Sequence, residues 1–207
     1  MLGNQKGDVV MKKINGQEVP EGISLTELEQ MLTSSDMQTF ALACEALRLQ
    51  ATHEAYSLLK THIADKDPYR RRYVMSVIFD WEEASELKQE LLRDLQSDRH
   101  FLVETALSNL IYEKVRVEDE AIFSCLEKNR HWLDGFYYQV LALVDKNENN
   151  AARIVKLFQS CDAPSARITI AQRLPSFCTA ENYQQIFDTI ANDPQSKIRM
   201  AACCIAN

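Results

Sequence analysis

Glycine and proline are scarce in this chain, five of each in 207 residues. That scarcity argues against a loop-rich or turn-dense β architecture and, with abundant Ala, Leu, Glu and Gln, favours helix. No apolar run approaches the roughly 20 residues that span a bilayer, and Met1 to Lys13 lack the pattern of a signal peptide. Both absences point to the cytoplasm. No Cys-x-x-Cys pair occurs among the six cysteines, so zinc-ribbon and thioredoxin readings lack support. Cys44, Cys125, Cys203 and Cys204 fall in helical apolar patterns and read as core thiols of a reducing compartment. Excess basic charge is also missing. The formal net charge of −7 argues against a general nucleic-acid binder. It suits a protein partner with a basic surface.

Catalytic signatures are absent as well. There is no Gly-x-Ser-x-Gly, phosphate loop, dinucleotide fingerprint or His-Glu-x-x-His. The four histidines, 53, 62, 100 and 131, show no metal-ligand spacing. The expectation is a non-enzyme without cofactor or metal.

What is present is a period. Asp67-Pro68 reads as a helix start: the carboxylate accepts from first-turn N–H groups, and proline tolerates the first helical position. Related residues Asp36, Asp67, Asp98, Asn129, Asp162 and Asp193 follow at spacings of 31, 31, 31, 33 and 31. Eight residues after each stand Cys44, Met75, Ala106, Tyr137, Ile170 and Ala201. Twelve after stand Arg48, Phe79, Leu110, Leu141, Leu174 and Ile205. These columns are four apart, on one face of a first helix. Thr61, Leu92, Phe123, Ile154 and Phe187, with Ala64, Leu95, Leu126, Leu157 and Ile190, mark a second helix. A hairpin of about 31 residues cannot bury such a stripe alone, so neighbours must stack.

The spacing predicts helices near 36–49 and 51–64, 68–80 and 83–96, then 99–113 and 117–128. A sixth first helix at 194–206 lacks its partner. Its Ile198, Ala201, Ala202 and Ile205 would leave an apolar face uncovered, open to self-association or to the rest of a larger scaffold. Ser24-Leu-Thr-Glu27 is a capping box for a helix covering the other end. Residues 1–23 differ: Asn15-Gly16 signals a hairpin, Pro20 weakens its returning strand, and a flexible leader is the equal alternative. The domain reading is 1–23 and 24–207.

Asp193-Pro-Gln-Ser-Lys-Ile198-Arg199-Met-Ala-Ala202 resembles the HEAT-repeat pattern, and Asp67-Pro-Tyr-Arg-Arg-Arg72 is similar but looser. The motif covers two repeats and the periodicity residues 36–206. It looks like the short bacterial type. The resemblance implies an all-α, armadillo-like, right-handed α-α solenoid of about five helical hairpins plus a terminal helix. Second helices would line its concave face, and the function would be that of a scaffold or adaptor.

Two candidate surfaces follow. Arg70, Arg71 and Arg72 are the densest basic cluster, either an acidic-partner contact near a helix start or a solvated face with one Arg bonded to a neighbouring repeat. Glu82, Glu83, Glu86, Glu90 and Asp94, then Glu118, Asp119, Glu120 and Glu127, make the second helices acidic. First-turn carboxylates need no partner to be favourable. Glu86, Glu90 and Asp94, four apart, are therefore the better partner-binding candidates. An alternative comes from HEAT-like DNA alkylpurine glycosylases, which use aromatics and a carboxylate in a basic groove. Trp81, Trp132, Tyr137, Tyr138 and Asp134 are the residues this chain offers, without the basic surface.

Overall fold

The computed structural model describes residues 11–14, 17–20 and 22–203. It divides into two compact units, Met1–Leu87 and Lys88–Asn207. The division falls within the stretch 83–96 that the pattern predicts as one helix.

The first unit opens on an antiparallel hairpin, β1 (Met11–Ile14) and β2 (Gln17–Pro20), with Met11 opposite Pro20 and Ile14 opposite Gln17. Pro20 ends its strand, where a missing donor disturbs the ladder least. The Asn15-Gly16 turn and residues 1–10 lie outside the described residues. Helix α1 (Leu25–Leu32) begins with the expected capping box: Ser24 Oγ accepts from Glu27 N, and Glu27 Oε2 accepts from Ser24 N at 3.0 Å. Its buried Leu28 and Leu32 pack on α2 (Met37–Gln50), whose cap Asp36 accepts from Thr39 N at 2.8 Å. Helix α3 (His53–Lys60) follows, then α4 (Pro68–Val77) with Asp67 as cap and Pro68 in its first turn.

Two predictions fail here. The second helix expected to reach residue 64 stops at Lys60, where the Thr61 hydroxyl donates to the Leu58 carbonyl at 2.8 Å. Thr61 and Ala64 are consequently exposed instead of filling core columns. After α4 the chain tightens into 3-10 turns, Ile78–Asp80 and Glu82–Leu87, separated by extended Trp81. Trp81 is buried, and its indole N–H donates to the Thr52 carbonyl at 3.3 Å. That anchor interrupts regular α winding.

The second unit has two layers. First helices are α6 (His100–Glu113), a 3-10 stretch (Tyr137–Leu143), α9 (Pro164–Arg173) and α11 (Ser196–Cys203), each packed on the next. Second helices are α5 (Lys88–Leu95), α7 (Asp119–Asn129), α8 (Glu148–Ser160) and α10 (Tyr183–Ala191). Leu110, Leu141 and Leu174 fill one column; Leu95, Leu126, Leu157 and Ile190 fill another; all are buried. Phe123 and Ile154 are buried too, while Leu92 and Phe187 are half-buried. The 3-10 stretch winds with about three residues per turn, and Tyr138, instead of the expected Tyr137, fills the core. Gly135 precedes it where a Cβ would sit 2.5 Å from the Ser165 carbonyl oxygen, a backbone approach only glycine permits.

Several caps also differ from expectation. Asp36 and Asp67 cap their helices, but Arg99 and Ala163, not Asp98 and Asp162, hold the cap positions of α6 and α9. Asn129 ends α7, its amide donating to the Cys125 carbonyl at 2.9 Å. The apolar face of α11 is covered: Ile198, Ala201 and Ala202 are buried where α11 packs on α9 and α10. Met200, 68% exposed, is the large apolar side chain it leaves in solvent; Ile205 and Cys204 lie outside the described residues. Cys44 and Cys125 are buried, and burial pushes each thiol up to about 12. Cys203, expected in the core, is exposed.

Candidate functional site

Repeat stacking brings side chains about 30 positions apart into contact, and the charged residues obey that rule. In the first unit Arg48, the polar exception in an apolar column, bonds Glu45 at 2.8 Å and Asp80 at 2.9 Å. Glu86 accepts from Lys60 Nζ at 2.5 Å and from the Tyr56 hydroxyl at 2.6 Å. The Lys60 bond, then the Tyr56 bond, holds its carboxyl below the usual glutamate range. Burial, aided by the bond to Glu86, pushes the Tyr56 phenol up.

Glu86, Glu90 and Asp94 therefore do not form the expected acidic face. Glu86 lies in the 3-10 stretch of the first unit, with Lys60 as partner. Glu90 lies on α5 of the second unit and pairs with Arg93. Asp94 is buried, 3% exposed, and unavailable to a partner. The arginine cluster divides likewise. Arg70 donates to the Leu32 and Ser34 carbonyls, pairs with Asp65 at 3.2 Å, and lies 4.2 Å above the Phe40 ring. It is a staple between repeats. Arg71 is buried, and Arg72 is the exposed member of the three.

In the second unit Lys88 reaches Glu118 at 3.0 Å, and Lys128 reaches Asp98 at 2.8 Å. Arg153 bonds Glu120 at 2.6 Å and Glu127 at 3.4 Å, with its guanidinium 4.2 Å over the Phe123 ring. Asn150 donates to Asp119 at 2.6 Å. The Lys88 and Arg153 bonds hold Glu118 and Glu120 below the usual glutamate range. Arg167 donates to buried Asp193 and lies 4.3 Å over Phe158. The glycosylase-like residues are also engaged: Trp132 stacks on His100 at 4.0 Å and donates to Asn129, while Asp134 accepts from Phe136 N at 2.7 Å.

Among the described residues, two grooves lie open on the second-helix layer. One, about 490 Å³, runs between α5 and α7, lined by Gln89, Leu92, Arg93 and Gln96 on one side and Glu118, Glu120, Ala121 and Ser124 on the other. The other, about 230 Å³, lies between α8 and α10. Its floor is buried Ala151, Val155 and Ile186, and its rim carries Glu148, Glu181, Asn182 and Gln185. Glu148 and Glu181 are exposed and have no hydrogen-bond or ion-pair partner among the described residues. Sequence reasoning missed both. The available signal was their matching position, each nine residues before a core-column residue, Leu157 or Ile190.

No protein-family model matches this chain, and no curated protein does. Solved structures are similar in fold. A designed armadillo repeat protein is 14% identical with a TM-score of 0.51, over 88% of this chain and 98% of that one. An engineered protein is 16% identical with a TM-score of 0.53, over 86% of this chain and 93% of that one. The fold is thus a helical-repeat α-solenoid of armadillo-like kind. No described helix is long and apolar enough to cross a membrane.

Proposed function

We propose that this chain is a non-catalytic protein-binding scaffold, a HEAT-like solenoid of the short type that engages its partner on the second-helix layer. One observation carries the reading. The layer's charges are largely consumed by pairing between repeats, yet two grooves with amide-bearing rims, one of them floored by aliphatic side chains, stay open to solvent. Such surfaces suit side chains of another polypeptide. The residues that best resembled catalytic groups, Trp132 and Asp134, serve packing and a turn. The net charge of −7 favours a protein partner over nucleic acid, and the buried free thiols suit the cytoplasm.

Site-specific photo-crosslinking tests this reading. A photoreactive residue at Gln96 or Ser124, in the α5–α7 groove, should capture a discrete protein in lysate of the source cell. The same residue at exposed Gln172 on α9 should not. Equal capture from both layers, or capture from Gln172 alone, would move the binding surface off the second helices.

A further inference from the structure

The groove between α8 and α10 differs from its neighbours in charge. On α7 three carboxylates meet a cation one repeat away: Glu118 has Lys88, and Glu120 and Glu127 have Arg153. Glu148 and Glu181 stand at matching positions of their repeats, each nine residues before a buried column residue, Leu157 or Ile190, and neither has a cation partner among the described residues. Between them lies a floor of Ala151, Val155 and Ile186, buried and aliphatic. An apolar trough with anionic ends matches a lysine side chain: four methylenes that gain by covering apolar surface and an ammonium that needs a carboxylate. The molecule contains its own precedent, because Lys88 supplies that ammonium to Glu118 at 3.0 Å.

We infer that the α8–α10 groove is a receptor for a lysine side chain of the partner protein, its stem on Ala151, Val155 and Ile186 and its ammonium at Glu148 and Glu181. This rests on the protein-binding reading and narrows it to a partner presenting an exposed lysine. Arginine has the charge but a stem one methylene shorter, and its broad planar fork asks for bidentate geometry; the lysine precedent at Glu118 favours the ammonium.

The test uses the full chain with labelled methyl groups and Nα-acetyl-lysine methylamide as probe. Titration should shift the Ala151, Ala152, Val155 and Ile186 methyl resonances, and high salt should weaken the effect. The norleucine analogue, which keeps the four-carbon stem and lacks the ammonium, should bind about tenfold more weakly, as should the Glu148→Gln/Glu181→Gln variant. Gln185→Lys, which places an intramolecular ammonium at the rim, should abolish the shifts while leaving the fold intact by circular dichroism. Equal shifts with norleucine, shifts centred away from the groove, or an unaffected double variant would each overturn the inference. Crosslinks at Gln96 or Ser124 persisting when the lysine probe shifts nothing would sink the lysine receptor and keep the scaffold. Loss of those crosslinks while the probe still binds would do the reverse.

Discussion

Helix α8 has two seams, and they ended differently. Toward α7, Arg153 lies over Phe123 and bonds Glu120 and Glu127, closing the seam with a guanidinium. Toward α10, the residues facing the seam are small or aliphatic, the rim carboxylates lack a partner, and a groove of about 230 Å³ remains. Both seams rest on the same buried columns. In a stacked repeat, then, an exposed carboxylate is a structural partner wherever the next repeat offers a cation. It becomes a functional candidate only where that cation is missing. Glu86 and Glu120 fall in the first class and Glu148 and Glu181 in the second, while Glu90 pairs within its own helix.

The comparison can be broken most forcefully through the core. Leu126 lies in α7, beside the closed seam, and Ile190 in α10, beside the open one; both are fully buried. Leu126→Ala and Ile190→Ala should each cost about 2–4 kcal/mol in denaturant unfolding, as buried truncations do. A loss below about 1 kcal/mol at either site would show that its column is not shared core. Next comes Arg167→Ala, which leaves Asp193 buried without its cation. The guanidinium is partly exposed, so the cost should be about 2–3 kcal/mol, near or below the low end for breaking a buried pair. Arg153→Ala should cost less, about 1–2 kcal/mol, because its carboxylate partners face solvent. It should also open the α7–α8 seam, detectable as new exposure of Phe123 to solvent.

At the other seam, Gln185→Lys should change stability by no more than about 0.5 kcal/mol. A larger gain would mean that the seam merely lacked a cation and has no other use. The smallest effect concerns pH. Glu118 and Glu120 titrate below their unfolded values because Lys88 and Arg153 hold their charged forms. On the acid side the unfolded chain therefore binds more protons, and stability falls as pH drops below the ordinary glutamate value of about 4.3. Unfolding curves of Arg153→Ala should show a shallower loss over that window than the parent. An unchanged slope would detach Glu120 from the acid response.

The repeat was legible because hydrophobic columns recur wherever hairpins stack. Leu95, Leu126, Leu157 and Ile190 are buried as their spacing predicts. Local capping was legible at Ser24, Asp36 and Asp67, where one side chain and one turn suffice. It failed at Asp98 and Asn129, whose side chains turn to Lys128 and to the Cys125 carbonyl instead. The predicted site failed for a related reason. Spacing of four places Glu86, Glu90 and Asp94 on one face only if the segment is a single α-helix, and buried Trp81 with the 3-10 turns beside it prevents that.

The sequence by itself determined that the chain is a helical repeat, roughly where each hairpin lies, and which apolar columns make the core. Periodicity encodes all three, since a side chain's direction follows from helix geometry. Only the tertiary structure decided which charges are spent. Pairing depends on which carboxylates Lys88 and the seam guanidinium of Arg153 reach across a neighbouring repeat. Residue spacing brings those groups near one another without choosing among them.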